Sequence, residues 1–206
     1  EPSAGYPLLV GIDFGRDPCA IITQIDHKGR WLLLEEIIAE DIGLEMQVQR
    51  ALKPALSHPR YLGRMLMVVG DPAGRAKNTH YEETSFDLLK RMGFSAYPAP
   101  TNDPDARLRA VEAWLGQQID GTGAMLIDAS RCPVTVRAFA GGYRFGKTKA
   151  GQRKPTPDKN EFSHPMDAVQ YAALAAHGGM AHAISSRFGR KNLKPAGARV
   201  RAVGWT

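Results

Sequence analysis

Apolar and polar residues follow strand logic over the first forty positions. Residues 8–14, Leu8-Leu9-Val10-Gly11-Ile12-Asp13-Phe14, form a nearly continuous apolar run of the length expected for a buried strand. Residues 20–26 and 31–38 read as two more strands, and Lys28-Gly29 between them predicts a hairpin turn. The period then changes. Leu44, Val48, Leu52 and Leu56 recur at helical spacing, with Pro54 expected to kink or end that helix. From there strands and helices alternate. Residues 65–70 predict a short strand, 84–92 a helix with Asp87 placed three after Thr84 as in a capping box, and 94–99 another strand. A helix from about 105 to 115, a last core strand over 124–127, a helical stretch opened by Ser130 and a final helix over 163–176 complete the pattern.

Three antiparallel strands followed by alternating strands and helices predict an α/β domain: a mixed sheet with helices on both faces. The domain is expected to span residues 1–184. Within it, a stretch rich in Gly, Lys, Arg and Pro (residues 146–160) predicts a mobile hairpin tip or loop, and residues 185–206 read as a basic, flexible tail with little capacity to form core. There is no internal repeat. The length of 206 residues suffices for a sizeable core without disulfides and is too short for a two-lobed enzyme. A composition of 43% hydrophobic and 23% charged residues excludes collagen-like, coiled-coil and wholly disordered chains. Cys19 and Cys132 have no metal-type spacing and read as buried small hydrophobes of a reducing compartment. No apolar run approaches the ~20 residues of a membrane span, and Glu1-Pro2-Ser3-Ala4-Gly5 is not a signal peptide, so a soluble chain is expected. It starts without methionine, which suits a domain excised from a longer chain.

The net charge of +6 is unevenly placed. From Arg144 onward, 12 basic residues face only Asp158, Glu161 and Asp167, whereas the chain up to Tyr143 is slightly acidic. A basic segment beside an acidic body suits a polyanion such as DNA, since each lysine or arginine at a phosphate releases condensed counterions. A solvated tail is the alternative.

Three acids stand out. Asp13 interrupts an otherwise buried strand, and a lone buried carboxylate demands a cation. Strand alternation places Gly11, Asp13 and Gly15 on one face, where the missing side chains would leave room for a ligand. Asp71, in Gly70-Asp71-Pro72-Ala73-Gly74, sits just past the carboxyl end of a strand, the usual place for sites in α/β sheets. In Ser163-His164-Pro165-Met166-Asp167, His164 and Asp167 share one side of a helix's first turn. Carboxylates converging from a strand, a strand end and a helix start would make an oxygen-rich site for Mg²⁺ or Mn²⁺. Two such ions could activate a water and stabilise the leaving oxygen of a phosphodiester. Singly, Asp71 could instead cap a turn, Asp167 could favour a helix N-terminus, and His164 could be a structural histidine. Asp128 reads as a helix cap and Asp17 as a turn residue.

One motif misleads. Gly141-Gly142-Tyr143-Arg144-Phe145-Gly146-Lys147-Thr148 spells a phosphate-binding P-loop, yet Ala150-Gly151-Gln152-Arg153-Lys154-Pro155 cannot supply the helix that this loop requires. An actin-like phosphate loop at Gly11-Ile12-Asp13 would need a second lobe that 206 residues do not allow.

The residues above resemble the nuclease domain of tailed-phage terminase large subunits. The resemblance spans most of residues 8–177 and rests on the order of Gly11-Ile12-Asp13-Phe14-Gly15, Gly70-Asp71-Pro72-Ala73-Gly74, the helix carrying Asn102, Arg107 and Val111, and His164-Pro165-Met166-Asp167-Ala168-Val169-Gln170-Tyr171. It implies a ribonuclease H-like fold in which Asp13, Asp71 and Asp167 hold two Mg²⁺ or Mn²⁺ ions and cut concatemeric viral DNA, with His164 beside the site. It also implies a β-hairpin near DNA over about 143–160. Arg144, Lys147, Lys149, Arg153, Lys154 and Lys159 are then candidate contacts to double-stranded DNA, Lys159 to the scissile strand. In the family an N-terminal ATPase drives translocation, with portal and small terminase subunit as partners in the infected host's cytoplasm. This sequence has no such ATPase and would cleave without pumping. Junction resolvases, transposases and a DNA-binding module without catalysis are the alternatives.

Overall fold

Each predicted apolar run forms a strand in the computed structural model, which describes residues 1–15, 17–76, 83–154 and 156–177. The tail expected over 185–206 lies outside the described residues. The strands and helices, in chain order, are β1 (Leu8–Asp13), β2 (Cys19–Ile25), β3 (Trp31–Ile38), α1 (Leu44–Gln47), α2 (Lys53–Leu56), β4 (Leu66–Gly70), α3 (Ser85–Arg91) and β5 (Ala96–Pro98). After them come α4 (Pro104–Leu115), the two-stranded ribbon of β6 (Gln118–Ile119) and β7 (Thr122–Gly123), then β8 (Met125–Ile127), α5 (Pro133–Arg137) and α6 (Ser163–His177).

The main sheet has the order β5-β4-β1-β2-β3-β8. β2 runs antiparallel to both β1 and β3, while β4, β5 and β8 join in parallel. Five strands therefore end on one edge. α4 and α6 cover one face, burying Leu9, Ile21, Trp31, Met67 and Val69 against Val111, Trp114, Val169 and Ala172. The other face packs Val10, Ile12, Ile22 and Val68 against Val48 and Leu52, with Phe86 and Leu89 of α3. Both faces carry helices, as the alternation predicts. Among the described residues no helix is long and apolar enough to cross a membrane.

The helix does not stop at Pro54 itself: α1 continues through a π-helical turn, Val48–Leu52, the irregularity expected there, into α2, which ends at Leu56, two residues past the proline. In that turn the Lys53 N–H bonds to the Val48 carbonyl, and the wider turn accommodates a proline that can neither donate nor tolerate a tight preceding carbonyl. Ser130, contrary to expectation, does not open a helix. The Asp128 carboxylate accepts from the Ser130 N–H and hydroxyl at 3.2 and 2.6 Å and holds a turn instead. α5 begins at Pro133, its first N–H groups satisfied by Glu36 of β3, which accepts from Val134 N at 2.7 Å and Thr135 N at 2.8 Å. The capping box at Thr84 and Asp87 forms as expected.

Glycines place the helices and loops around β1. A Cβ on Gly11 would lie 2.1 Å from the Ala168 carbonyl oxygen and 2.8 Å from the Ala172 Cβ. Of the space expected to admit a ligand, the part at Gly11 is filled by the backbone of α6, whereas Gly15 faces open space. A Cβ on Gly70 or Gly74 would run into the Phe14 ring, at 2.6 and 2.4 Å, and that ring packs edge-on against Phe86.

Gly11→Ala forces α6 off the sheet or distorts β1, because the obstructing atom is backbone and cannot rotate away. The expected loss is about 3 kcal/mol of stability, at the upper end for overpacking, read as a lower urea midpoint. A midpoint equal to wild type would show that α6 does not rest on β1 at this point.

Candidate functional site

The sheet register brings two of the three acids side by side. Ile12 of β1 pairs with Gly70 of β4, so Asp13 and Asp71 follow at matching positions on neighbouring parallel strands, whose backbones lie about 4.8 Å apart. By alternation Asp13 shares a face with Leu9 and Gly11, and Asp71 with Met67 and Val69, the face that α6 covers. The contact of α6 at Gly11 then carries His164, in the helix's first turn, and Asp167, which falls just past that turn and not within it as the sequence suggested, to the same end of β1.

Each acid has its own surroundings. Asp13 is 7% exposed, and its Oδ2 lies 2.7 Å from His164 Nδ1. Burial pushes its carboxyl up to about 6; the bond to His164 opposes this, and the negative charges of Asp167 and Asp71 add to it. Asp71 caps a short 3₁₀ turn, Pro72–Arg75, by accepting from Ala73 N at 2.8 Å. Burial also raises the Asp167 carboxyl, against the pull of Arg107 and Lys159. Asp13 thus feels the charge of both other acids at one sheet edge.

A residue to which the sequence reading gave no role completes the cluster. Arg107 of α4 is 9% exposed and donates through Nη2 to Asp167 Oδ1. Its Nε bonds to Gln170 Oε1 at 3.0 Å, and its Nη1 to Asn102 Oδ1 at 2.9 Å and the Tyr171 hydroxyl at 3.1 Å. The guanidinium also lies 4.6 Å from the centre of the Tyr171 ring. The signal was present in the chain: Arg107, Ala110, Val111 and Trp114 fall at helical spacing on the buried stripe of α4, and a cation on such a stripe requires an anionic partner.

The donor set suits a hard divalent cation: three carboxylates, one of them buried and reluctant to ionise alone. One oxygen of each is engaged, however, by His164, Ala73 N and Arg107 respectively. Among the described residues no three His, Cys, Asp or Glu side chains are gathered in a coordination-ready arrangement. Asp13 and Asp71 could hold an ion as neighbours, whereas Asp167 would join by sharing or releasing its arginine.

The basic candidates lie in the segment between α5 and α6. Residues 144–154 fold back as a hairpin, with Lys154 N bonded to the Gly146 carbonyl at 2.8 Å, Thr148 N to the Gln152 carbonyl at 2.7 Å, and Lys147 paired with Arg153. Arg144, Lys147, Lys149, Arg153, Lys154 and Lys159 all lie at least partly open to solvent. Arg153 lies 3.9 Å from the Phe145 ring centre and Lys154 Nζ is 2.8 Å from Asp158, so these two have internal partners. Lys159 acts electrostatically on Asp167. No helix follows Thr148 directly, and the P-loop spelling carries no phosphate cradle.

No protein-family model and no curated protein matches the chain. Solved structures do. The g2p (large terminase) nuclease domain from bacteriophage SPP1 with bound Mn is 22% identical, with 81% of this chain and 84% of that chain covered and a TM-score of 0.54. The large terminase of a thermophilic bacteriophage is 19% identical over 83% of this chain, with a TM-score of 0.62, and the match takes in 39% of that longer chain. The P22 large terminase nuclease domain is 14% identical, with 86% and 84% covered and a TM-score of 0.55. The fold is therefore the ribonuclease H-like fold of terminase large-subunit nuclease domains.

Asp13 has a consequence for pH. Its carboxyl lies at about 6 in the fold against an ordinary 3.8, so folding favours its protonated form. That contribution is complete below about pH 4 and is lost as the pH rises through about 6. In EDTA at neutral pH, Asp13→Asn is expected to raise stability by about 2 kcal/mol and to flatten the decline of stability between these two values. Urea denaturation across that range reads it, and parallel wild-type and variant curves would contradict it.

Proposed function

We propose that this domain is a divalent-metal-dependent endonuclease that hydrolyses phosphodiester bonds in double-stranded DNA with little sequence preference. Its place would be in a phage packaging terminase, cutting concatemeric viral DNA in the host cytoplasm alongside an ATPase domain, the portal and a small subunit. The observation that carries this reading is the register that sets Asp13 beside Asp71 at the carboxyl edge of the sheet, with Asp167 close enough to raise the Asp13 carboxyl. The SPP1 nuclease domain, which shares the fold, carries bound Mn.

Asp13 and Asp71, joined by Asp167, are the residues that would hold Mg²⁺ or Mn²⁺. Two bound ions would supply an activated water and stabilisation of the leaving oxygen. The protein's own groups do the remaining work. His164, bonded to Asp13, fixes the orientation of that carboxylate. Burial of Asp13 on the sheet excludes water from one side of the site. Lys159 and the hairpin residues Arg144, Lys147 and Lys149, with Arg153 and Lys154, offer positive charge to phosphates along the duplex, which suits binding without base recognition.

Substitution Asp71→Ala is expected to reduce Mn²⁺-dependent cutting of linear duplex DNA by more than about 100-fold while leaving DNA affinity within a few-fold of wild type. Outer residues of metal sites are already worth about 10- to 100-fold. A DNA-binding module without catalysis would show no Mn²⁺-dependent cutting in either protein, and that result would retire the enzyme reading. DNA affinity itself is expected to fall steeply with salt, with a shallower slope when Lys147 and Lys149 are both replaced by Ala. A slope that the double substitution leaves unchanged would remove the hairpin from the DNA interface.

A further inference from the structure

We propose that Arg107 is a built-in counter-ion of the acidic site, a fixed positive charge that competes with divalent cations for Asp167. The inference rests on the metal-dependent reading above and adds to it the group that sets how tightly metal is held.

The geometry leaves Arg107 little freedom. Four groups besides Asp167 fix its guanidinium: Gln170, Asn102, the Tyr171 hydroxyl and the face of the Tyr171 ring. Three of them have anchors of their own. Gln170 donates from Nε2 to the Tyr143 hydroxyl at 3.0 Å, and the Tyr171 hydroxyl donates to Asn102 Oδ1 at 2.9 Å. The side chain rises from the buried stripe of α4, so it cannot swing into solvent when a cation approaches Asp167. A guanidinium does not lose its charge by deprotonation. A divalent ion that takes Asp167 must therefore bind against a positive charge that stays beside it. Without that charge, Asp167 would face Asp13 with its leading cationic partner gone whenever metal is scarce. Arg107 thus positions and neutralises Asp167 in the metal-free protein, at the expense of metal affinity.

The test is Mn²⁺ binding to the folded domain without DNA, followed by calorimetry and by the EPR signal of free Mn²⁺. Arg107→Gln, which keeps hydrogen-bonding capacity and removes the charge, is expected to bind Mn²⁺ about tenfold more tightly than wild type, the scale of one charge a few ångströms away in a partly screened site. Arg107→Lys, which keeps the charge, is expected to return to wild-type affinity. In an Asp167→Asn background the Arg107→Gln change is expected to have no effect on Mn²⁺ affinity. If Arg107→Gln does not fold, Arg107→Met fills the same space without charge and carries the same expectation. Unchanged or weaker Mn²⁺ binding by a folded, charge-free variant, with wild-type binding that Asp71→Ala abolishes, would overturn the counter-ion role and leave the metallonuclease reading standing. Absence of Mn²⁺ binding by wild type and variants alike would overturn both.

Discussion

The backbone of α6 touches β1 at Gly11, and this contact decides where the acidic residues meet. With the Ala168 carbonyl only 2.1 Å from where a Cβ would stand, no larger residue lets the helix lie this close to the strand. The first turn of α6 is then held over the end of β1, where His164 reaches Asp13. Moving the helix outward by the width of one methyl group would separate the histidine from the carboxylate and carry Asp167 away from the strand edge. Packing in the core and geometry at the edge are in this way a single constraint.

A second close approach works on the other side of β1. Phe14, directly after Asp13, lays its ring over Gly70 and Gly74, so the loop after β4 is pinned by the residue that follows the first acid. Asp71 lies between those two glycines and spends one oxygen on the Ala73 N–H, which fixes its carboxylate at the end of β4. The glycines of the Gly70–Gly74 segment are thus explained by an aromatic ring. They hold Asp71 beside Asp13, and they do not open a cradle for a ligand.

Much of this could be read from the chain, for identifiable reasons. The strands were legible because buried strands in a mixed sheet are continuous apolar runs, and α3 because Thr84 and Asp87 cap it locally. Asp13 was legible because an acid inside such a run contradicts its surroundings. What escaped depends on partners distant in sequence. α5 starts at Pro133 and not near Ser130 because Glu36, nearly a hundred residues earlier, supplies its cap. The helix passes Pro54 by widening the turn before it, a detail that the apolar spacing does not display. Arg107 was marked as a position of the resemblance but given no chemical role. Only the helical spacing of Ala110, Val111 and Trp114 after it betrays that it points inward.

The burial that brings the acids together also creates an electrostatic problem that the chain must solve without metal. Three carboxylates close to one another repel, and burial strengthens that repulsion because water screens it poorly. The structure answers with graded partners. Asp71, at the solvent edge, receives a backbone N–H. Asp13, the most buried, receives a histidine nitrogen. Asp167 receives a guanidinium, whose charge is permanent. The order matters for chemistry, because a permanent positive charge resists an incoming cation. On the proposed metal-binding reading, such a site would admit cations first on the side of Asp13 and Asp71. The third carboxylate would be engaged last, against the arginine, so the same pairing that balances the acidic cluster would also limit how firmly it could hold a cation.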